Sequence, residues 1–430
     1  MNISVVGIGK LGAPLIGVMA DSGHKVIGVD VNQIAVEQLK QGIAPVEEPG
    51  LSDLINKNLQ RIDATVDFDQ AVRETDATFV IVPTPSDGSG RFSNVHLQAC
   101  IRALAGGIVK KDSYHLLVIV STVMPGTCAL LLEQLHQAGV EEKNLGFCYS
   151  PEFIALGSVI KDMRYPDMIL IGQKDARSGD LLEAIQLSYV NNEPSVKKLS
   201  IIDAEVAKIS LNTYITTKIT FANLLAEICE NVPGANADSV LSAIGADTRV
   251  GVKYLKPATP YGGPCFPRDT IAFSSFAQEF NVDALIPNSV DLVNNRQVQR
   301  IAKRAYQLSQ DGSLDKKKTI AVLGLSYKPN TPVTERSAGV AVANRLMEFG
   351  ADVVVFDPVV KSDAEISSHV RWAASWEDAI EQSNVVVITT AWDEFSLINS
   401  EKYKNVLFLD CWGVMTDSVN VIQSGQNISK

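Results

Sequence analysis

The sequence is short of basic residues, because 38 Lys and Arg stand against 49 Asp and Glu and leave a net charge of −11. A protein that holds nucleic acid needs a basic surface, so we expect no nucleic-acid partner. A phosphorylated small molecule stays open, since a few amides and one or two cations can bind it. Long apolar runs and a signal-peptide pattern are also missing. We therefore expect a soluble, cytoplasmic protein with no membrane partner.

Cysteine and histidine patterns are equally sparse. The six cysteines include no CxxC pair, which favours reduced thiols in a cytosolic protein. The five histidines never stand at metal-ligand spacing, so no metal site is expected.

The chain of 430 residues is too long for one core, and at about 150 residues per domain two to three domains are expected. Residues 1–200 alternate short apolar strands with helix-length segments, which predicts a parallel sheet covered by helices. From residue 201 to 308 a long stretch without Gly or Pro predicts a helical middle domain with a long connecting helix. The strand-helix alternation returns in residues 309–430, after a polar connection at 309–318. We predict an α/β fold with two doubly wound, Rossmann-like domains joined by a helical one.

The segment "GIGKLG" matches G-x-G-x-x-G between a predicted strand and a predicted helix, with Gly7, Gly9 and Gly12 as its glycines. In that context the glycines tighten the turn and let a pyrophosphate approach the helix. Asp30 ends the next strand, where a carboxylate binds an adenosine ribose. Asp30 is followed by "VNQ", with no Lys or Arg nearby to hold a 2′-phosphate, so the pattern favours NAD over NADP. The alternative is a turn that serves only the fold.

Two further loops follow predicted strand ends, where ligands bind in open α/β sheets. They are "VPTPSDGSG" and "STVMPGT". Four of their residues are candidates for a nicotinamide pocket: Pro83, Thr84, Ser121 and Thr122. Ordinary loop chemistry explains them equally well.

Polar residues also stand near the next strand end and on the long helix. Glu152 follows a strand in "SPEF", and Lys208 and Asn212 are spaced i, i+4 on the predicted helix. Lys208 and Asn212 therefore share one face of that helix and can converge on one reacting oxygen. Without further context, solvated side chains are the more common interpretation.

The segment "YGGPCFPRDT" holds Cys265 in an unusual frame. Pro264 and Pro267 fix their own φ, while Gly262 and Gly263 allow backbone geometries closed to other residues. The residues alone leave a reactive thiol and a buried packing residue equally open.

Taken in order, these motifs together with "GLSYKP" resemble the UDP-glucose/GDP-mannose dehydrogenase family over essentially the whole chain. The resemblance implies an NAD domain, a helical dimerising middle and a C-terminal domain that holds the nucleotide. It implies oxidation of the C6 alcohol of a nucleotide sugar to a carboxylate with two NAD per turnover. UDP-glucose is the first expectation for the substrate, with UDP-N-acetylhexosamines and GDP-mannose as alternatives.

The resemblance also assigns chemistry to particular residues. Cys265 becomes the nucleophile that passes through a thiohemiacetal and a thioester. Asp269 serves as proton acceptor or orients water, and Arg268 replaces a lysine of the family beside the cofactor. Lys208 and Asn212 stabilise the developing oxyanion.

On the substrate side, Thr122 and Glu152 match residues that place a water near C6. Arg249 stands where the family reaches across a dimer interface to the sugar nucleotide, so we expect a homodimer or a higher even oligomer. The residues assigned to the nucleotide sugar are Glu152, Lys208, Asn212, Arg249, Tyr254, Lys256, Tyr261, Gly262 and Lys328.

The chain departs from the family pattern at several positions. Leu156 in "PEFIALG" replaces a second glutamate, so one acidic contact near the cofactor is missing. Glu335 in "TPVTERS" stands where an arginine aligns, and Arg336 lies one position late. In "DCWG" Asp410 is kept but Trp412 replaces an arginine, and core packing is favoured over stacking on a base.

Two other functions remain open at this stage. A two-electron hydroxyacid dehydrogenase has a similar N-terminal architecture but leaves the cysteine segment and the second α/β domain without a purpose. A non-catalytic protein that binds NAD or a nucleotide sugar fits the altered C-terminal motifs, while the intact Cys265, Lys208 and Asp269 argue against it.

Overall fold

A computed structural model describes residues 1–310 and 319–427. The chain forms two compact units, Met1–Ser210 and Leu211–Lys430. Most of the connection predicted at 309–318 lies outside the described residues. The division into three domains at 200 and 308 stays a prediction.

The first unit is built around an eight-stranded sheet. Its strands are β1 Asn2–Val6, β2 Lys25–Val29, β3 Ile62–Thr65, β4 Ala77–Val80, β5 His115–Ile119, β6 Leu145–Tyr149, β7 Met168–Gln173 and β8 Ser195–Ser200. Its helices are α1 Gly12–Asp21, α2 Gln33–Lys40, α3 Leu51–Lys57, α4 Phe68–Glu74, α5 Val95–Val109, α6 Thr127–Gln137, α7 Val159–Arg164 and α8 Ala176–Leu187. The long helix α9, Ile201–Asn231, begins in this unit and continues into the second.

The strand order of the first sheet is β3-β2-β1-β4-β5-β6-β7-β8. All neighbouring strands run parallel except β6 and β7, which pair antiparallel. Apolar side chains on both faces of the sheet form two separate core clusters under the helices. Every residue of β5 and β6 is buried, and burial on both faces explains why these strands are mostly apolar rather than alternating.

The second unit contains the remaining helices and a six-stranded sheet. Its further helices are α10 Ala237–Gly245, α11 Phe266–Glu279, α12 Leu285–Ser309, α13 Ala338–Glu348 and α14 Trp376–Glu381. Its strands are β9 Thr319–Leu323, β10 Asp352–Phe356, β11 Arg371–Trp372, β12 Val385–Ile388, β13 Leu407–Asp410 and β14 Val421–Gln423. The order β11-β10-β9-β12-β13-β14 is parallel throughout and has the same connectivity as the first six strands of the chain.

The predicted fold class is confirmed by these two doubly wound sheets and the helical stretch between them. The antiparallel pairing of β6 with β7 differs from the parallel sheet predicted for residues 1–200. Strand direction depends on the connection rather than on composition, so the apolar run of β7 gave no sign of it. Within the described residues, no helix is long and apolar enough to cross a membrane.

Candidate active site

The turn after β1 has the geometry that a dinucleotide needs. Gly7 has a φ of 99°, and a Cβ there would lie 2.0 Å from the carbonyl oxygen of Ile81. A Cβ on Gly12 would lie 1.8 Å from the carbonyl oxygen of Gly7, so both positions require glycine. A Cβ on Gly9 would meet nothing within 4 Å. Gly9 thus leaves open space at the start of α1, as the approach of a pyrophosphate demands.

Asp30, directly after β2, fixes the same turn. Its carboxylate accepts the Ile8 N–H at 2.7 Å and the Asn32 N–H at 2.9 Å. The side chain stays partly exposed, so a lone pair remains for a ribose hydroxyl. The residues present therefore fit NAD: the glycine turn would receive the pyrophosphate and Asp30 the adenosine ribose.

Hydrogen bonds connect the loops after β4 and β5. The Ser121 hydroxyl donates to the Val82 carbonyl at 2.7 Å and accepts the Val82 N–H at 2.9 Å. The Thr84 hydroxyl donates to the Thr122 carbonyl at 2.7 Å. Pro83 lies between these contacts. The four residues predicted for a nicotinamide pocket thus share one edge of the sheet.

Glu152 and Lys208 lie together in the first unit. The Lys208 ammonium donates to the backbone carbonyl of Glu152 at 2.7 Å and lies 4.3 Å above the ring of Phe153. Lys208 is only 5% exposed, so its interpretation as a solvated side chain is wrong. Desolvation raises the pKa of the Glu152 carboxyl to about 7, and the Lys208 charge opposes that rise. A carboxyl of this kind can exchange a proton near neutral pH.

In the second unit, the segment around Cys265 has the constrained geometry that its sequence predicts. Gly263 has a φ of 79°. A Cβ on Gly262 would lie 2.1 Å from the carbonyl oxygen of Arg336, and one on Gly263 would lie 2.4 Å from the Tyr327 ring. Cys265 is the N-cap residue of α11, directly before its first turn. The two glycines therefore allow the segment to pack closely while the thiol stands at a helix N-terminus.

Cys265 differs from the other five cysteines, all of which lie within the described residues. It alone is exposed, while the others are buried. Burial raises the pKa of Cys100, Cys148 and Cys411 to about 12, so these thiols stay protonated and inert.

Asn212 and Asp269 meet in the second unit. The Asn212 amide donates to Asp269 Oδ2 at 2.6 Å. The Asp269 N–H donates to the Cys265 carbonyl at 2.9 Å, which places this carboxylate one helical turn after the thiol. Arg268 Nε lies 3.7 Å from Asp269 Oδ1. Asn212 is 7% exposed, so the solvated interpretation is wrong here too.

The other predicted substrate residues lie in several parts of the second unit. Arg249 is exposed, and its guanidinium pairs with Asp247 at 2.6 Å. Tyr254 has a φ of 61° and contacts Phe266 edge to face. Lys256 donates to the Trp412 carbonyl at 2.9 Å.

Tyr261 and Lys328 complete this set. The Tyr261 hydroxyl donates to Asp291 at 3.3 Å, and the Tyr261 N–H donates to Asn294. Lys328 is half-buried in the turn after β9.

The structure shows what surrounds each residue that departs from the family pattern. Leu156 packs against the core of the first unit. Glu335 and Arg336 are exposed, and Arg336 has a φ of 50°. Asp410 accepts three backbone N–H groups of its own loop. The Trp412 indole packs against the core of the second unit and donates to the Thr389 carbonyl, as core packing predicts.

Glu205 is a buried carboxylate that the sequence interpretation missed. It accepts the Gly126 N–H and the Cys128 N–H at the start of α6. An acidic residue one turn before Lys208 on a largely buried helix was the available signal. Among the described residues, no group of three or more His, Cys, Asp or Glu is placed to hold a metal ion.

Known proteins match the chain along its length. Residues 1–189 match the NAD binding domain of the UDP-glucose/GDP-mannose dehydrogenase family, residues 202–296 its central domain and residues 321–424 its UDP binding domain. A UDP-glucose 6-dehydrogenase of Haloferax volcanii is 33% identical over 93% of this chain and 94% of that protein. A GDP-mannose 6-dehydrogenase of Pseudomonas syringae pv. tomato is 30% identical over 97% of each chain.

A solved structure has the same fold. The UDP-glucose dehydrogenase from the hyperthermophilic archaeon Pyrobaculum islandicum superposes with a TM-score of 0.86, at 31% identity, over 98% of this chain and 96% of that one. Together with the glycine turn and Asp30, these matches confirm the predicted resemblance and the predicted cofactor. The chain belongs to the UDP-glucose/GDP-mannose dehydrogenase family and is an NAD-dependent nucleotide-sugar dehydrogenase.

Proposed function

We propose that this protein oxidises the C6 hydroxymethyl group of a nucleotide sugar to a carboxylate in two successive steps, with Cys265 holding the sugar between them. The observation that carries the proposal is the placement of Cys265. It is the one exposed thiol among six cysteines, all of them described, and it precedes the first turn of α11. The positive end of a helix dipole favours negative charge on a sulfur there.

The proposed chemistry balances with two hydrides lost from C6. NAD, when bound, accepts the hydride in each oxidation. The first oxidation converts the alcohol to an aldehyde, and the Cys265 sulfur then adds to C6 to form a thiohemiacetal. The second oxidation leaves a thioester on Cys265. Water attacks the carbonyl carbon, the C–S bond breaks, and the acid and the free thiol are released.

Two groups of side chains support these steps in the proposal. Lys208 and Asn212 donate hydrogen bonds to the oxygen on C6 as its negative charge develops. Thr122 orients the attacking water. Glu152 takes up the proton that this water loses, because the Glu152 pKa of about 7 matches that task at neutral pH. Asp269 holds the Asn212 amide, with which it shares a 2.6 Å hydrogen bond.

The first substrate we propose is UDP-glucose, which would give UDP-glucuronate. Both the Haloferax volcanii protein and the Pyrobaculum islandicum structure carry the name of a UDP-glucose dehydrogenase at more than 30% identity. The same chemistry on GDP-mannose is the second candidate, because a GDP-mannose 6-dehydrogenase matches at 30% identity.

We also propose that the active form is a homodimer that uses the exposed face of α9. Tyr214, Phe221, Leu224 and Ile228 are all exposed, and their spacing places them on one side of the helix. A second copy of this chain can cover such an apolar face. Arg249, exposed in one chain, is then the residue that reaches the substrate of the partner.

The test incubates the protein with NAD and each of four sugars: UDP-glucose, UDP-N-acetylglucosamine, UDP-N-acetylmannosamine and GDP-mannose. We expect an acidic product, identified by its mass, from UDP-glucose. The Cys265→Ser variant should form acid at least about a thousandfold more slowly and still bind NAD. Cys100→Ser, at a buried thiol outside the proposed site, is the matched control and should retain activity. Acid formation at the wild-type rate by Cys265→Ser would exclude the thioester route.

A further inference from the structure

Glu205 holds the loop that carries Ser121 and Thr122. Its Oε2 accepts the Gly126 N–H at 2.7 Å and its Oε1 accepts the Cys128 N–H at 2.8 Å. Both amides belong to the N-terminal end of α6, where free N–H groups and the helix dipole favour a carboxylate. Glu205 is 1% exposed. The Glu205 carboxylate on α9 therefore fixes the position of the C-terminal end of the loop formed by residues 121–127.

Lys208, one helical turn after Glu205, holds the neighbouring loop. Its ammonium donates to the Glu152 carbonyl at 2.7 Å. In the sheet, Ile119 of β5 pairs with Tyr149 of β6. Thr122 and Glu152 each stand three residues after these paired strand ends, so both loops leave the sheet at the same level. One turn of α9 thus binds both loops at the carboxyl edge of the sheet.

Burying the Glu205 carboxylate costs free energy, so its position between the two loop amides calls for an explanation. Burial raises the pKa of Glu205, and the hydrogen bonds from Cys128 and Gly126 oppose that rise. A neutral hydroxyl or amide would cap a helix without removing a charge from water. Two short N–H donors to two different oxygens, by contrast, fix both the distance and the rotation of the loop relative to α9.

We propose that Glu205 is a positioning residue of the active site, which sets the place of Ser121 and Thr122 relative to Glu152 and Lys208. The inference rests on the roles proposed above for Thr122 and Glu152. It assigns Glu205 no contact with substrate or cofactor. Its effect is transmitted through the two amide hydrogen bonds to residues 126 and 128.

The test compares Glu205→Gln and Glu205→Asp with the control Asp175→Ala. A glutamine keeps one acceptor oxygen, so one of the two loop amides loses its partner. An aspartate keeps the charge but is one methylene shorter, and it should restore part of the wild-type behaviour. Asp175 caps α8 in the same unit by accepting the Ser178 N–H at 2.9 Å. Its removal therefore destabilises a helix end away from the loop.

Two ligands separate a positioning role from a general loss of stability. NADH carries the nicotinamide ring that Ser121 and Thr122 are expected to line, while ADP-ribose reaches only the glycine turn and Asp30. For Glu205→Gln we expect NADH affinity to fall about tenfold with ADP-ribose affinity unchanged. The rate of sugar oxidation should fall about tenfold to a hundredfold. Asp175→Ala should lower the melting temperature without changing the ratio of the two affinities.

Each outcome decides the inference. The inference would be overturned if Glu205→Gln kept the wild-type ratio of NADH affinity to ADP-ribose affinity, whether both affinities were unchanged or both fell equally. A wild type that oxidises none of the sugars would contradict the proposed function, and the two affinities would still decide the role of Glu205.

Discussion

The two sheets of this protein begin with the same turn. Gly7 after β1 has a φ of 99°, and Gly324 after β9 has a φ of 100°. In each unit a second glycine lies against the first: a Cβ on Gly12 would lie 1.8 Å from the Gly7 oxygen, and one on Gly339 would lie 2.0 Å from the Gly324 oxygen. The same steric requirement therefore operates twice, although the glycines are five residues apart in the first unit and fifteen in the second.

The carboxylates that close these turns differ. Asp30 is partly exposed and accepts the amides of Ile8 and Asn32. Asp357, after β10, is 1% exposed. Its two oxygens accept six donors, which are the amides of Leu325, Ser326, Val359 and Val360, the Ser326 hydroxyl and the Trp392 indole. The first carboxylate is left accessible to a ribose, while the second is fully engaged within its own unit.

Asp410 extends this contrast. It is buried after β13 and accepts the amides of Trp412, Gly413 and Met415. The second sheet thus uses its strand-end carboxylates to fix its own loops. The first sheet leaves Asp30 partly exposed and gives Glu152 a pKa of about 7. Sharing a turn geometry does not mean sharing a ligand.

The largest effect on stability is expected from Asp357→Ala. This change leaves several buried N–H groups without an acceptor, so it should lower the free energy of unfolding by about 3 kcal/mol. Asp30→Ala should lower it by about 1 kcal/mol or less, since its donors lie nearer to water. Denaturant unfolding of both variants measures the difference, and equal losses would contradict the contrast between the two carboxylates.

For NAD affinity we expect the opposite order, with the larger effect at Asp30 and the smaller at Asp357. Asp30→Asn replaces the charged acceptor for the ribose, and NAD affinity should fall about tenfold to a hundredfold. The matched variant Asp357→Asn, measured under conditions where it is folded, should bind NAD as the wild type does. Calorimetric titration of NAD checks both. A comparable loss of affinity in the two variants would mean that the second turn also contributes to NAD binding.

A smaller effect is expected from a methyl group on the first turn. Gly9→Ala places a Cβ in open space, so the fold should be unchanged. The same methyl group would obstruct the pyrophosphate, and NAD affinity should fall roughly fivefold to tenfold. Gly88→Ala is the control, because a Cβ there also meets nothing within 4 Å. Unchanged NAD affinity in Gly9→Ala would place the pyrophosphate elsewhere.

The smallest effect is expected when only the pH of the wild-type reaction is changed. Because burial raises the pKa of Glu152 to about 7, the rate of acid formation should decline below that pH as the carboxylate takes up a proton. Glu152→Gln should remove this inflection together with most of the activity. For stability the sign is opposite: the protonated carboxyl stabilises the fold at low pH, and this contribution is lost as pH rises through about 7. An unchanged pH dependence of unfolding in Glu152→Gln would contradict the assigned shift.

The sequence predicted the inner strands of both sheets and missed their edge strands. The runs that form β1, β2, β4, β5 and β6 were predicted because strands buried on both faces are mostly apolar. The strands β3, β8, β11 and β14 were missed. Of these, β8 reads SVKKLS and is largely exposed, and β11 has two residues, so neither carries the apolar signal of a central strand.

For the candidate site, the sequence predicted individual residues more readily than the hydrogen bonds between them. The glycine turn and Asp30 were predicted because the motif has a fixed spacing. The contact of Asn212 with Asp269 joins residues 57 positions apart, and that of Glu205 with Gly126 joins residues 79 apart. Such contacts depend on the fold. The burial of Lys208 and Asn212 was missed for the same reason, since one helix does not reveal what covers it.

The central claim, a four-electron oxidation that passes through Cys265, is tested most directly by the yield of NADH per nucleotide sugar consumed. Purified protein would be given excess NAD and a limiting amount of the sugar that it oxidises. The account predicts two NADH for each sugar, with the acid as the product. A yield of one NADH with a product that stops at the aldehyde would contradict it.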